Sequence, residues 1–366
     1  MQLGQVIVAL WASSVSAGAG DGSCNRGKPI IIDTDIFSDV DDVGSLATAN
    51  VLHNYGFVDL RGIAINTHSQ YGALATSAIN TYFGNGDIPI AAIHPLTNES
   101  FFDSTYFLSG EYVSKVAYNW PHSLNDSSTT PTPVELYRSI LSASEDQSVT
   151  LISIGFLTNL AALLNSTPND TTPLAGPALI SAKVKELVIM GGQYPSGWEF
   201  NFGGSDPEST YQVVNNWPRD VPITYSGGEL GGNIYSGEEL KEKAEKALPD
   251  SPVLAAYEWY VGRYSTIRES WDPVTMLYGI VGLEGAPELG IEKLFAYAND
   301  IGYNEVLVNG SNYWVNDSSV TNQHWLKLAD GVTKTTVAGL LIEFFAHDPS
   351  DRNCSTYKPQ NGLRFG

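Results

Sequence analysis

Short apolar runs that each close on a polar or glycine turn constrain this chain more than any other feature of its sequence. Pro29 to Ile32 ends at Asp33-Thr34-Asp35, and Leu60 to Ile65 ends at Asn66-Thr67-His68-Ser69. Ile88 to Ile93 stops at His94-Pro95, and Ser148 to Ile154 stops at Gly155-Phe156-Leu157-Thr158-Asn159. Val184 to Met190 closes on Gly191-Gly192, and Val221 to Tyr225 closes on Ser226-Gly227-Gly228. Such runs are too short for helices and too apolar for half-solvated strands, so they read as strands buried on both faces. Helical patterns follow from Asp42, over Leu74 to Tyr82, and through Leu164. Alternation of this kind predicts a single α/β domain with a mostly parallel open sheet and helices on both faces. Ligands of such sheets bind beyond the C-terminal strand ends, where these polar turns gather. Phe101 to Pro133, rich in Ser, Asn, Thr and Pro, reads as a long excursion able to form a rim over that edge.

The first turn is the most acidic. Asp33, Asp35, Asp39, Asp41 and Asp42 fall within ten residues, with no Lys or Arg between Lys28 and Arg61. Val43, Leu46, Ala47 and Val51 then share one helical face. Crowded carboxylates repel unless they take up protons or share a cation. A solvated acidic loop that caps the helix is one reading. The wholly apolar strand before it brings the turn out of a core, which favours a hard dication such as Ca²⁺.

A formal charge of −21 over 366 residues excludes nucleic acid and anionic membranes as natural partners. Leu3 to Trp11, followed by small residues and Val15-Ser16-Ala17, resembles a secretory signal without a positive start, so residues 1–19 are expected to be removed. The domain then covers 25–366. Seven N-x-S/T sequons, at Asn98, Asn125, Asn165, Asn169, Asn309, Asn316 and Asn353, agree with a secreted glycoprotein. The two cysteines, Cys24 and Cys354, could pair in an oxidising compartment and tie the chain ends together. Oligomeric state, including a homo-oligomer, is left open.

Three further stretches carry polar groups. Gly227-Gly228-Glu229-Leu230-Gly231-Gly232 lacks the Lys-Ser/Thr of a phosphate loop and contains a carboxylate, so it reads as a structural turn. Glu199 and Asn201, among Trp198, Phe200 and Phe202, would point the same way if extended, as a pair of hydroxyl-binding groups or as ordinary surface alternation. Asp272 before Pro273 reads first as a helix cap, with metal ligation as the special case.

Taken together in order, these motifs resemble the inosine-uridine nucleoside hydrolase family over roughly Pro29 to Ile280. The family's D-x-D and Asp-Asp pair correspond to Asp33-Thr34-Asp35 and Asp41-Asp42, in a turn two residues longer than usual that holds Asp39. Its G-x-L-T-N, M-G-G, E-F-N and D-P-E segments correspond to Gly155 to Asn159, Met190 to Gly192, Glu199 to Asn201 and Asp206 to Glu208. The resemblance implies a Rossmann-like fold and Ca²⁺-dependent hydrolysis of the N-glycosidic bond of a ribonucleoside to ribose and free base. Carried over by position, the metal ligands are Asp35, Asp42, Asp272 and the Ile154 carbonyl. Asp35 is then the general base toward water, and Asp41, Glu199 and Asn201 hold the ribose. Asn66 lies near the Asn that contacts substrate in the family, which aligns loosely with Ser69.

Two departures matter. Where many members carry a His before the last ligand, as acid toward the leaving base, this chain has Trp271. A Trp-Asp pair resembles the purine-preferring branch, in which stacking on the indole helps the base depart. The loop between Gly192 and Glu199 is shortened and lacks its usual Asn. A secreted, purine-leaning nucleosidase is therefore expected, with a hydrolase of another N-riboside or a non-catalytic sugar- or calcium-binding relative as the alternatives.

Overall fold

A computed structural model describes residues 27–37, 39–97, 104–247 and 250–351. The signal-like start and both cysteines lie outside these residues, as do Asn98 and Asn353. Strands β1 (Lys28–Thr34), β2 (Val58–Ile65), β3 (Ile90–Ala92), β4 (Val149–Ile154) and β5 (Val184–Met190) answer the first five apolar runs. After a short β6 (Ser196–Gly197) come β7 (Ile223–Ser226), β8 (Tyr235–Ser236) and β9 (Arg268–Glu269). The last four are β10 (Phe295–Tyr297), β11 (Tyr303–Val306), β12 (Asn312–Val315) and β13 (Gln323–Leu328). One eight-stranded sheet runs β10-β13-β7-β5-β4-β1-β2-β3, parallel throughout except for the β10–β13 edge.

Alternation along the strands explains why helices cover both faces. Ile30, Ile32, Ile152, Ile154, Val188 and Met190 belong to one buried cluster, while Ile31, Leu151, Leu187 and Ile189 belong to another. Successive side chains of a strand point to opposite faces, so runs apolar at every position need a layer on each. Burying each such Ile, Leu or Val fully contributes about 1.5–3 kcal/mol. The helices Asp41–Asn54 and Trp271–Val281 lie against the first cluster, and Pro133–Ala143 and Thr158–Leu164 against the second.

The chain leaves β1 toward β2 and β3 on one side, then returns to place β4, β5 and β7 on the other. The reversal falls between β1 and β4, whose ends are in register at Thr34 and Ile154. A crevice opens at such a switch point, and here it is flanked by Asp35 and Gly155.

Two expectations change. The excursion after Phe101 is not irregular: it holds the helix Ser104–Asn119, with Tyr112, Val113 and Val116 buried in the core. A second, three-stranded sheet, β11-β12-β6, was not foreseen from the sequence. Among the described residues, no helix is long and apolar enough to cross a membrane.

Candidate active site

The acidic turn does not stay a cluster of five; the fold sorts its members. Asp33 faces the core, where Asn159 donates to it at 3.1 Å and Tyr137 and Asn66 donate more closely. Burial lifts its carboxyl to about 7, against the pull of these donors. Asp39 turns the other way and binds Arg268, whose Nε lies 3.0 Å from Oδ1 and whose second nitrogen approaches Oδ2. The absence of a local Lys or Arg misled the sequence argument here, since the neutralising cation arrives from 229 positions away. Phe37, between these acids, has a φ of 145°, which an L side chain rarely adopts.

Asp35 and Asp42 remain, and Asp272 joins them. One carboxylate oxygen from each falls within 4.8 Å of the others, and all three residues are buried. Burial raises the carboxyls of Asp42 and Asp272 well above the usual range, and the neighbouring aspartates add to the effect. One oxygen of Asp42 is held by Thr34 Oγ1, whereas Oδ2 is buried with no hydrogen-bond partner. An orphaned carboxylate oxygen beside two others is an all-oxygen donor set that fits a hard divalent cation. Asp42 and Asp272 also stand in the first turns of two helices, Asp41–Asn54 and Trp271–Val281, whose N-terminal dipoles favour negative charge.

Asp272 is therefore not the cap expected from Pro273. The helix begins one residue earlier, with Ser270 at its cap position, and Asp41 Oδ2 accepts the Asp272 backbone N–H at 3.0 Å. Ile154, also expected in the metal shell, ends β4 beside the cluster, fully buried. Gly155 follows because nothing larger fits: a Cβ there would lie 2.5 Å from the Asp35 nitrogen and 2.7 Å from its Cβ.

Above the acids lies a cavity of about 420 Å³, lined by Asp35, Asp41 and Asp272 on one side and by Glu199, Asn201 and Trp271 on the others. Glu199 and Asn201 are not on an extended strand. Glu199 caps the short helix Phe200–Gly203 through the N–H groups of Asn201 (2.8 Å) and Phe202 (3.2 Å), and Gly192 donates at 3.1 Å. Its carboxyl is pushed up to about 7 by burial, against these donors. The Asn201 amide holds Met190 at its carbonyl and sulfur. Asn66 is not brought to the cavity wall: its Nδ2 serves Asp33 and the Phe156 carbonyl, the latter at 2.8 Å. It supports the turn from below.

The Trp271 end of the cavity was the least visible in the sequence. Trp271 donates its indole N–H to the Gly228 carbonyl at 3.0 Å, and a Cβ on Gly231 would come within 2.3 Å of the Trp271 backbone. Gly231 and Gly232 of the Gly227 to Gly232 turn are glycines because the tryptophan packs on them. Arg268 lies over the Trp271 ring at 5.2 Å and over Tyr260 at 5.4 Å. Tyr112 donates to the Asp39 carbonyl at 2.5 Å, which ties the Ser104–Asn119 helix to the same turn. The remaining motif residues are structural: Asp206 caps the helix Pro207–Asn216 and accepts Thr158 Oγ1 at 3.0 Å.

The sequence profile described as inosine-uridine preferring nucleoside hydrolase matches residues 30–301. Among solved structures, the purine-preferring ribonucleoside hydrolase of Gardnerella vaginalis is 16% identical, with a TM-score of 0.63 over 88% of this chain and 99% of that one. The inosine-uridine preferring nucleoside hydrolase of Bacillus anthracis is 19% identical, with a TM-score of 0.60 over 88% of this chain and 99% of that one. The type III effector protein XopQ, complexed with adenosine diphosphate ribose, is 15% identical, with a TM-score of 0.60 over 88% of this chain and 94% of that one. At these identities the structures attest the fold. No curated protein matches the sequence. The chain belongs to the inosine-uridine preferring nucleoside hydrolase family, a family of metal-dependent enzymes that hydrolyse N-glycosidic bonds.

Proposed function

We propose that this nucleoside hydrolase is a secreted, calcium-dependent N-ribohydrolase that leans toward purine nucleosides. One observation carries the reading: Asp35 and Asp272, whose buried carboxylates cluster with that of Asp42, line the same cavity as Asp41, Glu199, Asn201 and Trp271. Asp35, Asp42, Asp272 and the Ile154 carbonyl would hold the calcium. When bound, it supplies Lewis acidity toward water and a charged anchor for the ribose hydroxyls. Asp35 accepts the proton of the attacking water. Asp41, Glu199 and Asn201 take the ribose hydroxyls, and the surrounding carboxylates favour the positive charge that develops on the sugar as the glycosidic bond breaks.

At the other end, Trp271 offers an indole face already fixed by Gly228. An indole does not donate a proton as an acid in this range, so its contribution is stacking, which favours the larger purine ring. Secretion is supported by the signal-like start and by the exposure of Asn125, Asn165, Asn169, Asn309 and Asn316. A second reading, hydrolysis of another N-riboside, draws on Trp198, which is 52% exposed on the cavity rim, beyond the groups assigned to ribose and base.

Release of free base from a panel of purine and pyrimidine nucleosides and adenosine diphosphate ribose, with and without a calcium chelator, tests the proposal. Faster purine turnover that chelation abolishes is the expected result. Turnover indifferent to chelation, or a preference for uridine, would overturn it.

A further inference from the structure

We propose that Gln193 is a substrate-contacting residue, whose side-chain amide donates a hydrogen bond to the nucleobase as it departs. The inference rests on reading Glu199 as the ribose-binding and Trp271 as the base-stacking group. Gln193 lines the cavity and is half-buried. Its backbone is satisfied on both sides by one residue: its N–H donates to Asn312 Oδ1 at 2.9 Å, and its carbonyl accepts from Asn312 Nδ2 at 3.1 Å. Asn312 is itself buried and donates to Asn304 at 2.9 Å, so β12 grips this backbone from the second sheet. The Gln193 side-chain amide, in contrast, makes no hydrogen bond among the described residues. A fixed backbone that carries an unspent amide at a cavity wall is preorganised for a ligand.

Gly228 locates that amide. A Cβ on Gly228 would lie 3.2 Å from Gln193 Oε1 and 3.2 Å from Glu199 Cγ, while the Gly228 carbonyl holds the Trp271 indole. One glycine thus touches all three residues, which sets the amide between the ribose end and the base end. The chemistry needed there is specific. As the C–N bond breaks, its electron pair passes to the base; the water oxygen forms the new C–O bond, and its proton goes to Asp35. The leaving base gathers negative charge on its ring nitrogens and takes a proton from solvent afterwards. A neutral N–H donor at that point stabilises the charge without giving up a proton, a role no carboxylate in the cavity can fill when ionised.

The experiment uses the full-length, calcium-loaded protein and compares wild type, Gln193→Met and Gln193→Glu on inosine and on a nitrophenyl riboside, whose leaving group needs no help. Both variants keep the side chain's length and lose the amide donors. Each is expected to lower kcat/KM for inosine about tenfold, mainly through kcat, while the nitrophenyl riboside changes by less than about twofold. Calcium affinity of the Gln193→Met variant stays at the wild-type value. Equal losses on both substrates would assign Gln193 to the ribose or to structure and overturn the proposal, as would no loss on either. A wild type that turns over neither substrate overturns the underlying hydrolase reading and this inference with it; an active wild type with unchanged variants overturns the inference alone.

Discussion

The two ends of the cavity are built on opposite principles. The proposed metal end is charged: Asp35 and Asp42 come from one strand-to-helix turn, and Asp272 joins them from the first turn of a helix far along the chain. The base end is assembled from distant, mostly uncharged pieces: Gly228 and Gly231 from one turn, Trp271 from a helix, Gln193 from a loop held by β12. At the metal end, carboxylate chemistry dominates the site. At the base end, backbone shape decides where the aromatic and amide groups stand. Changes to the first should therefore be severe and independent of the leaving group, and changes to the second milder and dependent on it.

The largest effect is expected from Asp272→Ala or Asp35→Ala. Each removes one of three buried carboxylates, and turnover should fall by about 10³-fold or more on every substrate, with calcium binding lost. Calorimetric titration with Ca²⁺ alongside a nucleoside assay measures both. Intact turnover in a variant that no longer binds calcium would separate the acids from the metal and break the comparison at its stronger end.

The same acids make a prediction in pH. Burial first, then neighbouring aspartates, hold Asp41, Asp42 and Asp272 above the ordinary carboxylate range in the metal-free protein. With folded values raised, the folded state binds more protons than the unfolded chain, so stability falls as pH rises from the unfolded carboxylate value, about 4, through the folded values. Calcium, bound as proposed, would replace those protons. The Tm of metal-free protein should thus drop between roughly pH 5 and pH 7, saturating calcium should flatten or reverse that drop, and binding should release protons. Equal slopes with and without calcium would show that the acids do not share the ion.

The contrast between the ends also explains what was legible in the sequence. Asp35 and Asp42 could be read because a charge cluster at the end of an apolar strand is anomalous within ten residues. The parallel sheet was legible because strands buried on both faces must be apolar at every position. Arg268 was not, since its partner Asp39 lies far away in the chain and an isolated arginine gives no periodic signal; its place three residues before Trp271 was the one available clue. The glycine-rich turn could be read as structural, but the tryptophan side chain that packs on Gly231 and Gly232 is brought there only by the fold. The antiparallel edge and the second sheet escaped because β10 to β13 are short and partly polar.

An intermediate effect is expected at Trp271. Trp271→Ala removes the stacking face but none of the acids, and should lower kcat/KM for inosine or guanosine on the order of tenfold, the scale of one aromatic stacking contact. Uridine should lose less, having less ring to stack, and a nitrophenyl riboside least, having no need of base activation. A uniform loss across the three would make Trp271 a packing residue and erase the distinction between the two ends.

The smallest effect, and the sharpest probe, is expected where the ends meet. Arg268 pairs with Asp39 of the acidic turn and lies over the Trp271 ring, so it belongs to both. Arg268→Met should act on them with opposite sign. Loss of the cation over the indole loosens Trp271, and kcat/KM for purine nucleosides should fall a few-fold, about the size of a partly exposed cation–π contact. Loss of the same cation leaves Asp39 unpaired beside the metal acids, where an added negative charge draws a divalent ion, so calcium should bind slightly more tightly. Asp39→Asn in the same chain removes that excess charge and should return calcium affinity toward the wild-type value while the purine loss persists. If the second substitution restores purine turnover as well, Arg268 acts through charge alone and its contact with Trp271 is incidental. If Arg268→Met weakens calcium instead, the pair holds the acidic turn in shape, and the metal end depends on backbone shape as the base end does.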